Sequence, residues 1–135
     1  MGLVHAEVEL INVDDFADAK RHIIDEDEVR KITVSALVDS GTFHTAINEN
    51  IQEYLQLPVV NRERKELADG TIVELDIVGP LHIKCMGRQI TTSAVILPGN
   101  SEVLLGVLCM EYMELLIDPY RQELITRRPE WILRI

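Results

Sequence analysis

The stretch Ala36-Leu37-Val38-Asp39-Ser40-Gly41-Thr42 decides how this chain is read, because an apolar strand pattern ends there in a carboxylate, two hydroxyls and a glycine. Ile32, Val34, Ala36 and Val38 alternate with Lys31, Thr33 and Ser35, which is the period of a half-buried strand. Such a strand delivers Asp39 to a tight loop. Gly41 lets the backbone turn without a Cβ clash, and Ser40 and Thr42 can donate hydrogen bonds. Asp, Ser and Gly are also ordinary turn residues, so on these three alone a plain surface turn is the favoured reading.

Upstream, Val4, Ala6, Val8 and Leu10 alternate with His5, Glu7 and Glu9. This predicts a second strand, paired with the first. Between the two lie Asp14, Asp15, Asp18, Asp25, Glu26, Asp27 and Glu28, an acidic connection with one helical turn expected around Phe16 to Lys20. The acids lack the Asp-x-Asp-x-Asp-Gly spacing of a calcium loop, so a solvated segment is expected. Downstream, Ile47, Ile51, Tyr54 and Leu55 fall on one helical face, with Asn48 or Asn50 as the cap and Pro58 after the helix.

Strand patterns then return. Glu66-Leu67-Ala68 and Thr71 to Val78 flank Asp69-Gly70, a dipeptide suited to a two-residue hairpin turn. Val73, Leu75 and Ile77 oppose Glu74 and Asp76, which leaves one side of the hairpin to solvent, as a lid requires. Leu81-Ile83-Cys85 and Ile90 to Leu97 read as further strands divided at Gly87, and Pro98-Gly99-Asn100 reads as a loop. Mostly β with one or two short helices, in a small barrel-like sheet domain, is the architecture these patterns imply.

At 135 residues and 47% apolar content, the chain suits one domain with a core that needs no staples. A net charge of −10 argues against nucleic acid, whose binding rests on Lys and Arg neutralising phosphates. A neutral or basic peptide is steered more favourably. The sequence shows no signal-peptide pattern, and Val103 to Met110, its longest apolar run, is too short to span a bilayer. Met1-Gly2 is not followed by the Ser or Thr of a myristoylation motif, since Ala6 occupies that place. A cytoplasmic protein without membrane attachment is therefore expected, with Cys85 and Cys109 as buried thiols rather than a disulfide.

Other chemistries fit poorly. His5, His22, His44 and His82 have neither HxxxH spacing nor a flanking Cys pair, so no metal is expected, and no cofactor motif is present. Ser40 lacks the Gly-x-Ser-x-Gly elbow of a hydrolase nucleophile, and Cys109 lies in an apolar run where a thiolate is costly.

From about residue 30 to residue 126 the chain resembles the retroviral-type (retropepsin-like) aspartic proteases, in the manner of their bacterial single-domain members. Asp39-Ser40-Gly41 is similar to the family's catalytic loop, and Ile47 to Leu57 to the helix that bacterial relatives carry after it. Leu67-Ala68-Asp69-Gly70-Thr71 resembles the flap, and Val78-Gly79-Pro80-Leu81 the turn leading out of it. Val103-Leu104-Leu105-Gly106 is similar to the second signature of apolar residues before Gly, followed by a short helix and Leu116-Ile117-Asp118-Pro119. The chain departs from the family at Phe43 and His44, at Thr42, where many retroviral relatives carry Ala, and in its acidic residues 1–29.

The resemblance implies a single retropepsin-like domain over residues 1–135. Residues 1–29 would be an N-terminal strand plus acidic extension, 30–126 the protease core, and 127–135 a C-terminal strand between subunits. It implies that Asp39 is the acid or base, Ser40 braces the loop against its twin, Gly41 permits the turn and Thr42 donates to the carboxylate. Ala68, Asp69 and Gly70 would cover the substrate as a flap, and Leu104, Leu105 and Gly106 would support the loop. Hydrolysis by this route needs two carboxyls sharing one proton, and the sequence has one Asp-Ser-Gly. A homodimeric endopeptidase follows, with a peptide or protein as substrate. The alternatives are a dimeric binding module of the same fold that does not cut, and a subunit that uses its edge strands in a larger assembly.

Overall fold

The computed structural model describes residues 3–129 and 131–135 of the chain, so the Met1-Gly2 reading lies outside the described residues. Nine strands and three helices follow one another as β1 (His5–Asn12), α1 (Val13–Lys20), β2 (Lys31–Val38), β3 (Ala46–Asn48), α2 (Glu49–Leu55), β4 (Val59–Glu66), β5 (Ile72–Cys85), β6 (Arg88–Leu97), β7 (Leu104–Leu105), α3 (Val107–Tyr112), β8 (Leu115–Asp118) and β9 (Glu123–Thr126), among the described residues. A 3-10 turn at Glu26–Glu28 punctuates the acidic connection.

Seven strands form one sheet in the order β1-β2-β7-β3-β6-β5-β4, and a further β1–β5 pairing closes it into a ring. The two alternating patterns do pair: β1 and β2 run antiparallel with Val8 opposite Val34 and Ala6 opposite Ala36. Alternation fixes which face goes inward, and Val8, Leu10, Ala36 and Val38 all point into the core. Leu55 and Leu57 from α2 and its end, Leu81 and Ile83 from β5, and Met113 after α3 fill the ring with almost no exposure. Truncating any of these leucines to Ala removes about 2–5 kcal/mol in a core of this kind.

β5 explains the shape. Its first half pairs with β4 from Ile72 to Val78, and its second half pairs with β1 from Leu81 to Lys84. The expected turn at Val78-Gly79-Pro80-Leu81 is instead an irregularity inside one 14-residue strand, at which the strand changes neighbours. Pro80 has no N–H to give to a ladder, and a bulge is where a strand tolerates it. The β4–β5 hairpin thereby projects beyond the ring. The β5–β6 connection is a two-residue turn with Met86 at φ 53° and Gly87 at φ 77°, the positive pair that a twisted hairpin favours.

Two helices differ from expectation. α1 spans eight residues, because buried Asn12 caps it by accepting from the Asp15 N–H at 3.0 Å and Asp14 and Asp15 favour its first turn. Phe16 then docks edge-on against His82 of β5 at 5.1 Å. α2 begins only at Glu49, since Ile47 is engaged in β3 between β6 and β7, and Asn48 is the cap. Ile51 and Leu55 face inward, whereas Tyr54 is exposed.

Cys85 and Cys109 are free and buried, and burial pushes the Cys85 thiol up to about 11. No helix among the described residues is long and apolar enough to cross a membrane. Residues 127–129 and 131–135, expected as a strand, form no strand with the rest of the described chain. β8 and β9 make a separate two-stranded sheet.

Candidate active site

Asp39 leaves the end of β2 with a neighbour on each side. Val38 N–H donates to the Val4 carbonyl at 2.8 Å, and Asp39 N–H donates to the Leu105 carbonyl at 3.1 Å. The half-buried carboxylate is held at both oxygens: Oδ1 accepts from Gly41 N–H at 2.9 Å, and Oδ2 accepts from the Thr42 hydroxyl at 2.6 Å. Thr42 N–H closes the turn on the Asp39 carbonyl at 3.2 Å. Gly41 does not adopt a positive φ. It is needed for close approach, because a Cβ there would lie 3.2 Å from Asp39 Oδ1. Ser40 is exposed, and its hydroxyl has no hydrogen-bond partner among the described residues.

The loop is strapped from behind by the start of α3. Val107 N–H donates to the Thr42 carbonyl at 2.8 Å, and Leu108 N–H donates to the Phe43 carbonyl at 3.1 Å. These are donors that a helix cannot satisfy internally in its first turn, so loop and helix complete each other. Gly106 N–H donates to the Thr45 hydroxyl at 3.1 Å, and Thr45 also meets Cys109 Sγ at 3.1 Å. A Cβ on Gly106 would fall 2.6 Å from the backbone of Phe43 and His44, so no other residue fits unless the loop moves. The supporting position expected for Leu104, Leu105 and Gly106 is thus explained by β2–β7 pairing and by this contact. Buried Thr45 was missed in the sequence, where a lone Thr in a loop carries no signal.

The β4–β5 hairpin overhangs the loop. Its tip is a three-residue loop, Ala68-Asp69-Gly70, and not the expected two-residue turn: Leu67 N–H bonds the Thr71 carbonyl at 2.8 Å, and Gly70 N–H bonds the Leu67 carbonyl at 2.9 Å. Gly70 sits at φ +87° with open space around it. Asp69 accepts from Thr71 N–H at 2.9 Å, and that bond holds its carboxyl below the usual value.

Between loop and hairpin lies a groove of about 580 Å³, bounded by Gly41, Thr42 and Phe43 below and by Lys65, Leu67 and Ala68 above. Gly41, Thr42 and Ala68 therefore share one groove, while Asp39 and Ser40 lie beside it and Asp69 and Gly70 at the hairpin tip, all four outside its lining. Half-buried His44 packs edge-on against Phe43 at 4.9 Å and also borders a smaller cavity of about 240 Å³ with Glu63. Burial first, and then the nearby Lys65 charge, push the His44 imidazole below its ordinary value, with Glu63 opposing. Among the described residues one acidic trio, Asp25, Asp27 and Glu28, converges closely enough for a cation, and all three residues are exposed.

The course of the strands has a counterpart among solved structures. The chain matches the crystal structure of the retroviral protease-like domain of Ddi1 from Leishmania major with a TM-score of 0.55, over 95% of this chain and 92% of that one. It has the retropepsin-like fold. Sequence identity across the match is 17%, which carries the fold and nothing finer. No family model and no curated protein sequence matches the chain.

Proposed function

We propose that this protein is a homodimeric aspartic endopeptidase whose site is formed by Asp39 from each of two copies. The observation that carries the reading is the grip on the Asp39 carboxylate by Gly41 and Thr42, two residues that themselves line the groove shared with the β4–β5 hairpin. A carboxylate held at both oxygens presents its remaining lone pairs in a fixed direction, which is what a general base requires. Two such groups brought together by a two-fold axis cannot both ionise, so the pair holds one proton. The ionised carboxyl takes a proton from the attacking water while its neutral partner donates to the peptide carbonyl.

The substrate fits as an extended backbone lying beneath the hairpin, with Ala68 above it and apolar Phe43 and Leu67 at the groove wall. Ser40, exposed and without a hydrogen-bond partner among the described residues, is available to brace the second copy of the loop. A non-cutting binding module is favoured only by Phe43, which is 58% exposed and narrows the groove. Assays of the parent and Asp39→Asn over a broad peptide library separate the two. Cleavage by the parent that disappears in a folded Asp39→Asn dimer supports the enzyme; undiminished cleavage by Asp39→Asn removes the catalytic assignment, and no cleavage by the parent leaves the binding module.

A further inference from the structure

Three of the four lysines in the chain, Lys20, Lys31 and Lys84, line one cavity of about 190 Å³ on the outer face of the ring. Strand register explains how they meet. Leu10 points into the core, so alternation turns Glu9 and Ile11 of β1 outward. There Ile11 lies between Lys31 of β2 and His82 of β5, and Glu9 lies between Thr33 and Lys84. Lys31 is therefore beside Ile11, and Lys84 is on its diagonal. The remaining walls come from α1, through Phe16, Ala19 and Lys20, and from the acidic connection, through Glu26 and Val29.

The cavity has an apolar floor and a charged rim. Ile11 is 4% exposed, and Phe16 is fixed beside it by its edge-on contact with His82. Lys20 Nζ stands 5.2 Å from the centre of the Phe16 ring, which brings a cation to the aromatic wall. Three lysines against Glu9 and Glu26 leave the lining with one positive charge, which a single anionic group balances. The chain's net charge of −10 has little hold at this point, because charges more than about 8 Å away are screened at physiological salt. An apolar body attached to the anion would displace water from the floor. Volume limits that body: an apolar cavity of about 150 Å³ accepts benzene, and drug-sized ligands need roughly 300–1,000 Å³.

We propose that this cavity binds a small monoanion with a compact apolar body, and that aryl carboxylates are the class that matches both its charge and its volume. The carboxylate meets the lysine rim while the ring packs on Ile11 and Phe16. The site is separate from the Asp39 groove, since Lys31 opens β2, Asp39 follows its end, and the two cavities share no lining residue. It stands whether or not the chain cuts peptides. A ligand held between helix, connection and sheet also fastens α1 to the ring, so binding raises the unfolding midpoint.

The test is an NMR titration of the full chain as parent, Lys31→Gln, Lys84→Gln and Ala19→Leu, with phenylacetate, phenylacetamide and acetate as probes. Phenylacetamide keeps the ring without the charge, and acetate keeps the charge without the ring. Phenylacetate is expected to shift the amides of Ile11, Phe16, Val29 and Lys84 along one saturable curve, and phenylacetamide to bind about tenfold more weakly. Each lysine variant is expected to lose about two- to fivefold in affinity, the range of an exposed ion pair. Ala19→Leu fills the cavity, leaves every charge in place and is expected to abolish saturation. No saturable shift in the parent, or unchanged binding by a folded Ala19→Leu, overturns the site. Acetate that matches phenylacetate overturns the apolar floor, and phenylacetamide that matches it overturns the lysine rim. Should Ala19→Leu not fold, the exposed Lys31 and Lys84 decide the matter, because parent-like affinity in both of their variants removes the proposal.

Discussion

Two turns in this molecule use the same local chemistry and end in opposite mechanical states. At Asp39 and at Asp69 a carboxylate oxygen accepts the N–H of the residue two places on, each at 2.9 Å, and a glycine lies within the turn. Around Asp39 the neighbouring backbone is committed to Val4 just before β1, to β7 and to the start of α3. Around Asp69 the tip is exposed throughout, and nothing approaches the open side of Gly70. The lesson is that an Asp-Gly turn is neutral in itself. Rigidity comes from what the flanking carbonyls and amides find to bond, and the fold places a braced carboxylate opposite a hairpin that only its own strands support.

The sharpest way to break the comparison is to remove each carboxylate. Asp39→Asn is expected to lower peptidase turnover by about 10²–10⁴-fold, the range for losing a general acid or base. Asp69→Asn keeps an acceptor for Thr71 N–H and is expected to stay within a few-fold of the parent. Initial rates on one peptide decide it, and equal losses at the two positions end the distinction between a chemical turn and a covering one.

The two glycines give the next largest contrast. Gly106→Ala drives a Cβ into backbone at 2.6 Å, and we expect a loss of roughly 1–3 kcal/mol of global stability by denaturant unfolding, with activity falling alongside. Gly70→Ala meets no atoms and is strained only by its positive φ, which costs on the order of 1 kcal/mol in the closed hairpin. That cost belongs to the tip, so the global midpoint should hardly move. A Gly70→Ala protein destabilised as much as Gly106→Ala shows the hairpin to be integral to the core.

Thr42→Val keeps the side-chain shape and deletes the 2.6 Å bond to Asp39 Oδ2. Hydrogen bonds to charged groups contribute roughly 1.5–3 kcal/mol, so a loss of about tenfold in kcat is expected, with KM little changed. A change confined to KM assigns Thr42 to substrate contact instead.

These contrasts follow the line between what was legible in the sequence and what was not. The β1 and β2 patterns, the Asp39-to-Thr42 loop and the hairpin at Asp69-Gly70 are carried by neighbours a few residues apart, and periodicity and turn chemistry report such neighbours well. Thr42 reaching Asp39 belongs to this class. Thr45 with Gly106, and Arg88 with residues 113 to 132, join positions 25 to 61 apart, and a lone Thr or Arg carries no trace of a partner that distant. Gly106 was visible as a motif, while its cause, contact with the Phe43–His44 backbone, was not. The resemblance of Val78-Gly79-Pro80-Leu81 to a turn leading out of the flap divides β5 in the sequence, whereas in the ring the strand continues past Gly79 and Pro80 to Cys85.

The smallest expected effect lies where the two regions touch. His44 leaves the Asp39 loop toward the hairpin, where Glu63 and Lys65 of β4 pair with each other at 2.8 Å and are the charged groups that act on it. Its imidazole is held below 6.5, chiefly by burial, so the closed arrangement prefers neutral His44. The sign follows by linkage: an exposed His44 takes up its proton near pH 6.5 before the packed one does, so acidification below that value is expected to weaken the packing of this ring. Well above pH 6.5, where even an exposed ring is neutral, the contribution is complete and pH has no further hold on it. Glu63 limits the effect, since its carboxylate favours the charged ring and its own carboxyl is held low, first by Lys65. We therefore expect the His44 Cε1 proton to titrate in NMR below 6.5, and hairpin amides 62–66 to shift with the same midpoint. In His44→Gln those amides should be flat across the range. A midpoint at or above 6.5, or amide shifts that persist in the Gln variant, shows that the braced turn and the movable one are not coupled through this ring.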